Sequence, residues 1–250
     1  MSDQNSEMAE RMFEQLVDLW VKPEIDRRVA EGRIVTPLGL YRIQVLMPIN
    51  GENIVRFNDE VHFEVEAKVK PGTKLKPGDI FDFTEVEDVK FHKLLPEDED
   101  YGHITAWAIN GTWSIYFSFI YQRTKSRDLL RLGMDYIKSA ESDIRRGLLA
   151  PAINTLCIAS ENIAKARLVL QPFEEVHRPI KTHSTLKSII NRHTKVGEAI
   201  RPEYAQCHNY LLSLREDARY NPAVILDAEE LKRAIVEMKK LANEAEGMAG

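Results

Sequence analysis

Residues 213–222 read Ser-Leu-Arg-Glu-Asp-Ala-Arg-Tyr-Asn-Pro, and Arg215, Arg219 and Tyr220 in that run are the side chains best suited to chemistry. Arg215 and Arg219 are four residues apart, so a helix puts both guanidinium groups on one face. Each can then grip a phosphate oxygen through two parallel hydrogen bonds. Tyr220 adds a phenol, a poor base at neutral pH. His208 lies seven residues before Arg215, two turns away on the same face, and is the one histidine placed to move a proton beside it. Arg215 and His208 are therefore the candidate catalytic pair. Upstream, Glu161 and Lys165 are one turn apart, His183 opens a later helical segment, and Lys187 follows His183 by one turn. Arg215, Arg219, Tyr220, His183, Lys187 and Glu161 make up the candidate ligand-binding set. A structural alternative stands beside each. A Glu-Lys pair four apart is commonly a solvated helix pair worth about 0.3 kcal/mol. The two arginines can likewise pair with Asp217, Glu161 or a neighbouring loop carboxylate.

These residues need helices to hold them, and the C-terminal half supplies the pattern. Leu129, Leu132, Tyr136 and Ala140 recur at helical spacing in a first helix that reaches Arg146 and stops at Gly147. Ile153, Leu156, Cys157, Ser160, Ile163 and Ala164 mark a second, over residues 151–170. A loop with Pro172 and Pro179 leads to a third, over residues 184–195. Pro202 opens a fourth, which carries Tyr204, Cys207, Leu211, Leu214 and Ala218 and ends before Pro222. Asp227 caps a last helix, with Glu230 three residues on as its capping-box partner. Amphipathic helices joined by mostly short loops predict an up-and-down bundle.

The N-terminal half reads differently. Met8, Met12, Leu16 and Leu19 are spaced as a helix, and Pro23 starts a second short one that stops at Gly32. From Ile34 to Arg123 the apolar residues alternate. Val61, Phe63, Val65, Ala67 and Val69 share one face of a strand, and residues 80–84 read as another. Pro71-Gly72 and Pro77-Gly78 are turns, and Asn110-Gly111 joins two β-rich runs as a hairpin. Residues 96–100, Pro-Glu-Asp-Glu-Asp, read as an acidic loop. About six short strands predict an antiparallel β-sandwich or barrel-like domain. Its aromatics, Trp107, Trp113, Tyr116 and Phe117 among them, suit a sandwich core better than a base-stacking platform. The fold class is thus α+β: a helix-led β-rich domain over residues 1–125 and a helical bundle over residues 126–250.

The chain of 250 residues is 44% hydrophobic and 29% charged, with a net charge of −5, so any nucleic-acid site must be a local patch. One such strip surrounds the third helix: Arg178, Lys181, Lys187, Arg192 and Lys195. Its two cysteines, Cys157 and Cys207, sit on helical stripes and read as small buried hydrophobes of a cytoplasmic protein. The polar, acidic start predicts no secretory leader, and no apolar run suits a membrane-spanning helix. His177, His183 and His193 match no zinc spacing, so no metal and no cofactor is expected.

Several residues in order resemble the HEPN family (higher eukaryotes and prokaryotes nucleotide-binding) over residues 127–222. They are Ala140 and Gly147 around the first helix end, Ala152, Ala159-x-Glu161-x-x-x-Lys165, His183-x-x-Leu186, and Arg215-x-x-x-Arg219-Tyr220. The resemblance implies a homodimer through the helical domain that brings the fourth helices around a shared cleft, with RNA or a nucleotide as ligand. In nuclease members an Arg and a His four to six residues later polarise the phosphate and move protons. No His follows Arg215 in this chain. If the protein is an enzyme, the resemblance implies a metal-independent endoribonuclease, weakened by that gap. A role in prokaryotic defence or a toxin–antitoxin system follows from analogy alone. The alternative is a non-catalytic interaction and dimerisation module in which the arginines are structural. The β-rich domain would recognise a protein partner.

Overall fold

Alternating apolar residues in the N-terminal half form six strands among the described residues. These are β1 (Arg42–Met47), β2 (Ile54–Phe57), β3 (Phe63–Val69), β4 (Val86–Leu94), β5 (Gly102–Ile109) and β6 (Thr112–Ser118). The computed structural model describes residues 11, 13–81, 83–109, 111–180, 182–195 and 199–250; Met8, Met12, Asn110 and Lys181 fall outside them. The chain divides into two units, Met1–Phe119 and Ile120–Gly250.

In the first unit an antiparallel sheet of order β2-β1-β5-β6 lies beside a separate β3-β4 hairpin. The period of two assigns each face. Ile43, Val45, Phe57 and Ala106 point one way, toward Leu16 and Val21 of the leading helix. Leu46 and Trp107 point the other way, into an apolar layer shared with Val89, Phe91 and Leu94 of the hairpin. The leading helix does not restart at Pro23. It passes through a π-helical turn, Val17–Val21, straight into α1 (Lys22–Ala30), where the missing N–H of Pro23 falls in the first turn. Residues 80–84 do not make the expected strand. Ile80 is fully exposed and a 3₁₀ turn, Phe83–Glu85, precedes β4. β4 escaped the reading because its exposed face carries Glu87, Asp88, Lys90, His92 and Lys93, which mask the alternation of Val89 and Phe91. The acidic loop is not free either: Asp98 is buried, and Arg56 grips both of its carboxylate oxygens.

The second unit consists of α2 (Arg123–Arg145), α3 (Leu149–Val169), a one-turn α4 (Glu174–His177), α5 (His183–His193), α6 (Pro202–Tyr220) and α7 (Ala228–Ala249). α3 packs against α2, α6 and α7. α3 is enclosed on most of its sides, with buried residues from Ala152 to Val169, and keeps one narrow open stripe of Pro151, Asn154, Thr155, Ile158, Asn162 and Lys165. Gly147 takes a positive φ of 77° and ends α2 with two reversed bonds, Leu148 N–H to the Asp143 carbonyl at 2.9 Å and Gly147 N–H to that of Ile144 at 3.0 Å. Asp227 caps α7 through the Glu229 amide, while Glu230 pairs with Arg233 instead of closing a capping box.

Gly133 sets the closest approach of α2 to α3. A Cβ there would stand 2.8 Å from Ile163 Cγ1 and 3.4 Å from the Ala159 carbonyl. Gly133→Val should destabilise the helical unit by about 1–3 kcal/mol through overpacking. Urea denaturation followed by helical circular dichroism reads this directly, and a midpoint at or above that of the parent would refute the tight seam.

Candidate functional site

A groove of about 360 Å³ opens between the start of α5 and the last two turns of α6. It is lined by His183, Ser184, Leu212, Arg215, Glu216, Arg219 and Tyr220. Leu212, Arg215, Glu216 and Arg219 fall at positions i, i+3, i+4 and i+7, so one stripe of α6 faces it. Four of the residues singled out from sequence, His183, Arg215, Arg219 and Tyr220, meet here.

The two arginines differ in setting. Tyr204, His208 and Leu211 form a buried stripe on α6, and Arg215 comes one turn after Leu211 on that stripe. Its stem is therefore half-buried, and Nε has no hydrogen-bond partner. Arg219 is exposed and donates from Nε to Asn154 Oδ1 at 2.5 Å. Among the described residues neither guanidinium forms an ion pair with a carboxylate, so the expected pairing with Asp217 or Glu161 is absent. A half-buried cation without a counter-charge carries a desolvation cost that an anionic guest would offset.

Glu161 is spoken for elsewhere. It sits on the enclosed helix α3, only 9% exposed, and its Oε1 accepts a hydrogen bond from Nδ1 of His183. The hydrogen-bond partner of Glu161 is thus His183 on a different helix, not Lys165 one turn along. Thr182 caps α5 by accepting the Thr185 amide at 3.1 Å, which fixes His183 in the first turn. The preceding loop is pinned as well: Glu175 takes Arg192 at 2.5 Å and His193 at 2.7 Å, and His177 bonds to the Gln171 carbonyl at 2.7 Å.

His208 is not in the groove. It is 1% exposed, and its Nδ1 lies 2.9 Å from Ser160 Oγ. That hydroxyl donates to the Cys157 carbonyl at 2.9 Å, so Nδ1 carries the proton that Ser160 accepts. Burial, then the charges of Lys187 and His183, push His208 down to about 4. It is a neutral core residue that no substrate reaches, and the geometry removes it as a catalytic candidate. Lys187 is exposed on α5 but does not line the groove. Two residues of the basic strip are held by carboxylates, Arg178 by Glu174 and Arg192 by Glu175. Cys157 is buried, and burial pushes its thiol up to about 11, which rules out a thiolate nucleophile at neutral pH. Among the described residues no cluster of three or more His, Cys, Asp or Glu side chains is placed to hold a metal ion, and no helix is long and apolar enough to cross a membrane.

The sequence held one unread signal for the Glu161–His183 contact. Glu161 falls among the buried residues of α3, outside the open face of Asn154, Thr155, Asn162 and Lys165, and a buried carboxylate needs a partner on a neighbouring helix.

The class is that of an α-helical bundle whose penultimate helix brings Arg215, Glu216 and Arg219 to one groove. Residues 126–248 match the family described as HEPN domain, and the C-terminal unit of this chain belongs to it. The match extends past residue 222 to take in α7. No curated protein matches the chain.

Proposed function

We propose that the HEPN unit engages single-stranded RNA or a nucleotide, with phosphate held at Arg215 and Arg219 and Tyr220 beside them at the groove mouth. The observation that carries this reading is that both guanidiniums line one cavity and neither is neutralised by a carboxylate among the described residues. Arginine's planar fork suits a phosphate, and the exposed Tyr220 ring, 78% accessible, offers a face for a base. The Arg-to-His spacing of nuclease members is missing after Arg215, so the reading is one of binding and does not draw on that pair. By resemblance to the family the protein acts as a homodimer, with defence as its setting, and its two free cysteines suit the cytoplasm. The β-rich unit serves to recognise a protein partner.

One observation favours the rival reading, an interaction module with structural arginines: the bond from Arg219 to Asn154 ties α6 to α3. Filter retention of a labelled single-stranded RNA, measured across salt concentrations, separates the two. Arg219→Ala should weaken retention and reduce the salt slope by about 0.7, the loss of one phosphate contact on a single strand. Retention that stays at the parental level while the melting temperature or the dimer is lost would favour the structural role.

A further inference from the structure

The groove holds a third functional group that the binding reading leaves idle. His183 lines it beside Arg215 and Arg219, with its side chain 52% exposed. Its Nδ1 donates to Glu161, whose own side chain is 11% exposed and anchored in the central helix. With Nδ1–H engaged, the lone pair of the imidazole is on Nε2, and among the described residues Nε2 has no partner. A carboxylate that orients one ring nitrogen and leaves the other free is the arrangement of a general base. The cap on α5 and the pinned loop before it keep the ring in place.

We infer that His183 is a catalytic residue of this groove and Glu161 its positioning residue, so that the site cleaves single-stranded RNA. The inference rests on the binding reading above. It draws its proton carrier from the start of α5, not from the residues after Arg215 on α6. Nε2 takes the proton of a ribose 2′-hydroxyl as that oxygen attacks the adjacent phosphorus. The bond from phosphorus to the 5′ oxygen breaks, its electron pair stays on that oxygen, and the oxygen takes a proton from solvent. The imidazolium, stabilised by Glu161, then returns its proton to solvent. The products are a 2′,3′-cyclic phosphate and a 5′-hydroxyl. Arg215 and Arg219 stabilise the charge that grows on the non-bridging oxygens. A second cavity, of about 560 Å³, shares Arg219 and Tyr220 with the groove and is lined on its far side by Leu148, Pro151 and Leu226. A strand whose phosphate sits on Arg219 has room to continue there, which favours a chain over a mononucleotide.

The test uses the full chain and an end-labelled single-stranded RNA of mixed sequence, with a chelator present. The parent should cut it to fragments ending in cyclic phosphate, and should bind but not cut an oligomer with 2′-deoxyribose throughout. His183→Ala and the more conservative His183→Asn should lower kcat by roughly 10²–10⁴-fold while the Kd for RNA stays within a few-fold of the parent. Glu161→Gln should lower kcat with little change in KM. Nitrogen-15 spectra of its imidazoles should show a weakened preference for the Nδ1–H tautomer of His183, and the loss in kcat should track it; a tautomer change with kcat at the parental level would make the carboxylate merely structural. RNA that is bound and left intact by the parent, or cut equally well by both His183 variants, would overturn the catalytic assignment and leave the binding reading standing. RNA that is neither bound nor cut would overturn both.

Discussion

Acidification from about pH 6.5 to about pH 4 should remove about 3 kcal/mol of stability from the helical unit through His208 alone. Its pKa is ordinarily 6.5 and is held at about 4 by burial. Between those values the unfolded chain binds a proton that the folded protein refuses, so the unfolded state gains as pH falls. The shift of about 2.5 units sets the size, at about 1.4 kcal/mol per unit. The contribution is fully present above the unfolded value and gone once pH passes below the folded one. His208→Gln keeps a donor for Ser160 and stays neutral at every pH, so its stability should fall less over this window by about the same 3 kcal/mol. Urea titrations of both proteins at steps from pH 7 to pH 4 measure the difference, in which carboxylates common to both cancel. Parallel curves would show that His208 takes up its proton without cost.

Arg28→Ala should cost the β-rich unit about 3 kcal/mol. Arg28 is 6% exposed, and its guanidinium makes four hydrogen bonds to three partners: Glu24 at 2.6 Å, Glu60 at 2.8 and 3.0 Å, and the Val55 carbonyl at 2.7 Å. Its guanidinium also lies 4.8 Å from the centre of the Phe57 ring. One side chain therefore fastens α1 to β2 and to the turn that follows it. Removing it leaves the Val55 carbonyl without that donor and takes from the well-covered Glu24 one of its two arginine partners, Arg27 keeping its own two bonds, so the cost comes from breaking a buried cation's network. Glu60 is half-exposed and regains water, which holds the figure at the low end. Arg28→Lys should recover only part, since an ammonium cannot span three acceptors at fixed angles. Thermal melts of the three proteins decide this, and an Arg28→Ala melt matching the parent would show the clamp to be idle.

The architecture was legible where one face of an element meets one layer. β3 alternates in the structure as it does in the sequence, and α6 runs from Pro202 to Tyr220 because proline opens it and Asn221-Pro222 closes it. Legibility failed where an element's apolar face is interrupted by charges. α3 was legible as a helix even though burial from several directions blurs its one-sided pattern, whereas β4 hides its apolar face among charges. At the groove, helical spacing placed Arg215 and Arg219 together, since both stand on α6. The same logic put His208 beside them and misled, because a residue two turns away on one face of a helix can lie under a different neighbour. Here that neighbour is Ser160 of α3. The contact between Glu161 and His183 joins residues 22 apart in sequence, and no local period encodes it.

The most direct test of the cationic groove is the side-chain Nε–H resonances of Arg215 and Arg219, followed as single-stranded RNA is added. Both should move together and saturate, and both should stay still when an uncharged oligomer of the same length is added. Resonances that hold their positions up to millimolar RNA would mean that these guanidiniums meet no phosphate, and the functional reading would fall.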